Sequence, residues 1–174
     1  NLTGALRPYV RRDGTTIPGL VVRNNGFHLG EASLTYGGDV SFASMLKITG
    51  ITAGVADFGV NFSGSVQFNG EVFIAAQNAD LFPGQTFSMK FEDSSDSDNE
   101  AVRAALTFRD GVPAGFKFKS DRMSMKFGSF LTVSSKDLFI NTEAVGSEYV
   151  VSVGKIEAKV KAGPLEVGGS IRNF

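Results

Sequence analysis

The stretch GFKFKSDRMSMKF, Gly115 to Phe127, decides the fold. Phe116 and Phe118 alternate with Lys117 and Lys119, and Met123, Met125 and Phe127 alternate with Ser124 and Lys126. A period of two with one apolar and one polar set predicts an antiparallel sheet covered on one side. The same beat runs through Phe87, Met89 and Phe91, and through Phe58, Val60 and Phe62.

Turn chemistry points the same way. Asn69-Gly70 lies between SVQF and EVFIAA, and such a dipeptide suits a two-residue hairpin turn because both positions need positive φ. Asn25-Gly26 separates LVVR from FHLGEASLTY, Gly37-Gly38-Asp39 precedes VSFASMLKI, and Asp110-Gly111 precedes GFKFK. Read as turns, these predict a strand about every 11–13 residues, the spacing of an antiparallel sandwich or roll. The expected fold is therefore all-β, with antiparallel hairpin and meander sheets packed as a β-sandwich or an elongated β-roll. Phe62, Phe68, Phe87, Phe116, Phe118 and Phe127 are its expected core. The segment DNEAVRAAL, Asp98 to Leu106, fits a helix, yet Val102, Ala104, Leu106 and Phe108 alternate into the next strand, which favours a strand. Residues 1–16 carry Pro, Gly and Arg without a period and read as a linker or terminal strand. Residues 17–174 form the expected single domain.

Composition bounds the function. The 174 residues include 16 Phe, three Tyr and no Trp, and 42% are hydrophobic, enough for a real core. With 17 basic and 18 acidic residues the net charge is −1, so no global field attracts nucleic acid. Cysteine is absent, so neither disulfides nor thiolate metal sites contribute. No apolar run reaches the roughly 18 residues of a membrane-spanning helix, and the expectation is a chain that is not transmembrane. The first residue is Asn1 rather than Met, which suggests a piece of a longer chain.

Two segments echo each other. KITGITAGVADFGVNFSGSVQF, Lys47 to Phe68, and KIEAKVKAGPLEVGGSIRNF, Lys155 to Phe174, both begin Lys-Ile and order Ala-Gly, Val, Gly-Ser and Phe alike. FHLGEASLTY from Phe27 corresponds loosely to MKFGSFLTV from Met125. These echoes predict an internal duplication, 27–68 against 125–174, in a repeat unit of about 105 residues.

The run FGSFLTVSSKDLFINTEA, Phe127 to Ala144, followed by VGKIEAKVKAGPLEVGGSIRNF, resembles β-rich tandem repeat segments of very large exported or surface-attached bacterial proteins. The resemblance implies a structural or adhesive repeat outside the cytoplasm, at the cell surface or beyond, with neighbouring repeats of the same parent chain as partners and surface glycans as a further candidate. It carries over no site residues.

Chemistry-bearing motifs are sparse. FEDSSDSDNE, Phe91 to Glu100, sets Asp93, Asp96, Asp98 and Glu100 on one polar stretch. Asp96-x-Asp98-x-Glu100 matches the first ligand spacings of a calcium loop but lacks its later Gly and Glu. Calcium is the one candidate cofactor; the competing reading is a solvated tip that keeps a sheet edge soluble. The single His28, flanked by Phe27 and Leu29, has neither HxH nor HExxH spacing and reads as a surface or rim histidine. YGGD and VGGS lack phosphate-binding spacing and read as turns. Arg109, Lys117, Lys119, Arg122 and Lys126 form a basic band on the polar face, suited to an acidic polysaccharide, a lipid headgroup or ordinary edge protection. No nucleophile elbow accompanies His28, so the expectation is a protein without catalytic residues, not an enzyme. The alternative to a structural module is a β module that binds carbohydrate or a hydrophobic ligand.

Overall fold

The computed structural model describes residues 1–11, 13–94, 99–146, 148 and 150–173. All its regular elements are strands: β1 (Leu2–Arg7), β2 (Tyr9–Val10), β3 (Thr16–Ile17), β4 (Leu20–Arg23), β5 (Gly26–Phe42), β6 (Leu46–Asn61), β7 (Gln67–Leu81), β8 (Phe87–Glu92), β9 (Val102–Arg109), β10 (Val112–Phe127), β11 (Leu131–Asn141), β12 (Val151–Ser152), β13 (Lys155–Ala162) and β14 (Leu165–Arg172). Alternation outweighs helical spacing in Val102 to Phe108, which is strand β9. The chain start contributes a terminal strand, β1, that pairs with β5.

Twelve strands form one antiparallel meander in the order β1-β5-β6-β7-β8-β10-β11-β13-β14. Three short strands fill the columns end to end: β4 beside β5, β9 between β7 and β10, and β12 beside β11. The described strands thus make one large antiparallel sheet. The other sheet is the β2–β3 ribbon.

Long strands replace the expected short ones because several glycine pairs shape strands instead of turning the chain. Asn69-Gly70 lies inside β7, where Gly70 has φ 129° and faces the step in β6 register between Ala56 and Gly59. Gly37-Gly38 lies inside β5, at the register step between Tyr36 and Asp39. Positive-φ and sterically free residues serve bulges as readily as turns. Asp110-Gly111 does turn the chain, with φ 51° and 78°, between β9 and β10. The β4–β5 hairpin also forms, with Arg23 opposite Gly26, so its loop is Asn24-Asn25.

The duplication is not matched by the strands. Residues 47–61 run as one strand before the chain turns back into β7 at Gln67, whereas 155–172 turn after eight residues as the β13–β14 hairpin. Similar order of Gly and β-branched residues is compatible with both shapes, and an internal repeat is not shown.

Cross-strand partners define the two sides of the sheet. One row runs Leu6, Ala32, Val55, Val72, Leu106, Phe116. A second runs Gly4, Leu34, Ala53, Ile74, Ala104, Phe118, Ile140, Val151, and a third Leu2, Tyr36, Ile51, Ala76, Val102, Ser120, Leu138. None contains a charge. Rows between them carry Arg103, Lys117 and Lys119, and the row just outside the first carries Glu31 and Glu71.

Beyond these rows the apolar positions change phase, from Phe116 and Phe118 to Met123, Met125 and Phe127 on β10. A one-residue slip would ordinarily turn the second set to the opposite side. Instead Val102 and Phe118 pack with Met123, Met89, Ile48 and Leu81 on one cluster around Ala79, Phe91 and Ala101. The Phe91 and Phe118 rings meet edge to face at 6.2 Å. A crease across the sheet accounts for this. It passes the β5 register step, Gly50 (φ 66°), the gap between β8 and β9, Asp137 (φ 55°) opposite Asp121, and the gap between β12 and β13. Left-handed residues and strand breaks along that line re-aim the side chains, so the apolar side stays continuous.

The expected core is only partly realised. Phe62 and Phe116 are exposed, whereas the buried phenylalanines among the described residues are Phe73 and Phe91. Phe116, in the first uncharged row, is 37% exposed.

Candidate functional site

The polar side carries the densest grouping of chemistry. After β1 the chain leaves the sheet edge, forms the β2–β3 ribbon and returns as β4. Gly30 makes that return feasible: a Cβ there would lie 2.6–2.8 Å from the carbonyl oxygens of Arg7, Pro18 and Ile17. The ribbon sets Tyr9 on a small cluster of Ala56, Phe73, Ala75 and Ala105. Small residues beneath it leave space, and an open hollow of about 860 Å³ results.

Ion pairs line this hollow. Asp57, held at φ 47° in the β6 bulge, accepts two hydrogen bonds from the Arg11 guanidinium, Nε to Oδ2 at 2.6 Å and Nη2 to Oδ1 at 2.7 Å. Its Oδ1 also lies 2.7 Å from His28 Nε2. Burial pushes the Asp57 carboxyl upward, but the Arg11 and His28 hydrogen bonds and charges outweigh it, so the acid sits below the ordinary carboxylate value. The same Asp57 bond raises Arg11 against the opposing effect of its own desolvation. Tyr9 is raised by burial first and by Glu71 second.

Arg103 reaches Glu100 at 3.3 Å and Glu31 at 3.7 Å while its guanidinium lies 3.5 Å over the Phe73 ring. Lys117 pairs with Glu71, and Arg109 with Glu143 at 3.0 Å. Every carboxylate named here has a cationic neighbour. The set holds itself together by these pairs.

The sequence-predicted residues scatter differently from their motifs. His28, expected at the surface or a rim, lines the hollow half-buried and bonded to Asp57. Of the calcium candidates, Asp96 and Asp98 lie outside the described residues. Glu100 is turned to Arg103, and among the described residues no group of three or more His, Asp or Glu is placed to hold a metal ion. In the basic band, Arg109, Lys117 and Lys119 line the hollow, and Arg122 stands farther along β10 opposite Glu92.

The grouping of Arg11, Glu31, Asp57, Glu71 and Arg103 went unread because each comes from a different stretch of chain, with no fixed spacing. The available signal was weak: a charged residue isolated within an otherwise apolar strand, as Glu71 is in NGEVFIAA. Comparisons with protein-family models, curated proteins and solved structures find no match.

Proposed function

We propose that the chain is a non-enzymatic structural module, a length of β-wall in a larger assembly at the cell surface or outside the cell. The observation that carries this is the state of the sheet's two ends. Among the described residues β1 and β14 each pair on one flank only, and all eight residues of β14 are exposed, with Leu165, Val167 and Ile171 among them. Natural edge strands are usually blunted by proline, bulges or several lysines. β14 has no proline and only Glu166 and Arg172 as charges, so it suits the addition of a further strand. The cysteine-free composition and the resemblance to exported repeat segments support the location.

Proline at Gly168 or Gly169 tests the edge. Neighbouring backbone N–H groups of a strand point to opposite flanks, so one substitution removes an outward donor and the other a donor to β13. Sedimentation of the chain at tens of micromolar should show self-assembly, abolished by the outward substitution with strand circular dichroism unchanged. Assembly that survives both prolines refutes edge pairing.

The hollow favours a second reading, binding of a hydrophilic ligand such as an oligosaccharide. Tyr9 and Phe139 offer ring surface there, between hydrogen-bonding Asn141, Asn69 and the ion pairs. A glycan array with Tyr9→Ala as control separates it: specific retention lost in the variant supports it, and no retention refutes it.

A further inference from the structure

We infer that the uncharged side of the sheet lies against the acyl chains of a lipid bilayer. Burial is inverted relative to a protein surrounded by water. Side chains of Glu71, Glu143 and Arg103 are only 13%, 12% and 19% exposed. Val72, Leu106 and Ile74, on the same strands or their neighbours, are 43%, 49% and 55% exposed. Isolated exposed apolar residues are ordinary, but three contiguous cross-strand rows without a charge are not.

The rings are placed in keeping with this. Phe27–Phe62, Phe58–Phe68 and Phe68–Phe108 stack near one end of the strands, and Phe82–Phe87 and Phe87–Phe127 near the other. Strand-built membrane walls carry an apolar band between two aromatic girdles, with polar residues alternating onto the inner side. No described helix is long and apolar enough to cross a membrane, and that bears only on helices.

A second copy stacked on the apolar side is the rival occupant. It would leave the hollow facing water, where ion pairs contribute little. A lipid-facing wall makes the polar side the enclosed one, where charges require the pairing observed. This inference rests on the edge reading in one respect: a bilayer tolerates no open ladder, so β1 and β14 must be paired there.

The test uses the chain refolded with phosphatidylcholine vesicles, with and without bromine on the acyl chains. Native tryptophan is absent, so Ile74→Trp reports the apolar side and Lys90→Trp the polar side. Trp fluorescence at position 74 should fall at least threefold with brominated lipid, and that at position 90 should be unchanged. Ile74→Asp with Leu106→Asp should lower the vesicle-bound fraction at least tenfold. Equal quenching at both positions, none at 74, or a lipid-free dimer that shields position 74 overturns the inference. The edge prolines are scored separately: assembly lost by one proline without quenching at 74 leaves the edge reading standing and removes this one. If the aspartates prevent folding, the two tryptophan variants decide alone.

Discussion

On β7, Val72 and Ile74 stand half in the open, while Phe73 and Ala75, one residue away, are almost wholly covered. The two sides of one strand therefore obtain stability from different sources. On the polar side, aromatic and alanine surface is covered by the β2–β3 ribbon and by long charged side chains laid over it. On the other side, cover is concentrated in the cluster around Phe91 by the crease, and Val72, Ile74 and Leu106 stay about half exposed. The same substitution should consequently weigh more in the covered rows than in the open ones.

The largest effect expected is at the cluster by the crease. Phe91 is 8% exposed and joins both phases of the apolar pattern. Phe91→Ala should cost ~3–5 kcal/mol, and Ile74→Ala in water less than ~1 kcal/mol. Urea denaturation of both variants measures this; similar losses would mean that the apolar side is already covered in solution. Next comes Gly30→Ala, which pushes a methyl group into three carbonyl oxygens at the root of the ribbon. A loss of ~2 kcal/mol is expected, with increased proteolysis between residues 8 and 19. Cleavage no faster than in the parent chain would show that the ribbon follows the edge strand and not Gly30. Arg103→Met comes third. It removes two ion pairs and the cation over Phe73 but keeps an apolar stem, for an expected loss of ~1–2 kcal/mol.

The all-β fold was legible because alternation survives in every long strand. Its division into short strands was not, since Asn69-Gly70 and Gly37-Gly38 meet the requirements of a bulge and a turn equally. The phase change between Phe118 and Met123 is visible in the letters. Its meaning depends on Asp137, Gly50 and two strand breaks aligned on neighbouring strands, which only pairing can reveal. Likewise Lys47–Phe68 and Lys155–Phe174 share an order of residue types, but the chain turns at Gly163 (φ 61°) after eight strand residues in the second and only beyond Asn61, by Gly64 (φ 86°), in the first. The polar site was least legible. His28 and Asp57 are 29 residues apart, and Arg11 and Asp57 are 46 apart, so no local spacing joins them.

The smallest effect predicted is the most specific to that site. Asp57 is held below its ordinary value in the folded chain, so it binds its proton less readily there than when unfolded. By linkage, its stabilising contribution is complete above the unfolded carboxylate value near pH 4 and is lost as pH falls through the lower, folded one. Arg11 remains charged throughout, so the tether weakens only by protonation of Asp57. Arg11 is 40% exposed, and solvent screening keeps the contribution to about 1 kcal/mol or less. Urea midpoints measured from pH 6 to pH 2 should decline more steeply for the parent chain than for Asp57→Asn, which cannot titrate at that position. Cleavage within the ribbon should accelerate over the same acid range in the parent chain, whereas Asp57→Asn should be cleaved quickly at every pH. If the two chains show parallel midpoints and equal cleavage rates, Tyr9 packing alone holds the ribbon down, and the polar side is stabilised by burial in the same manner as the crease.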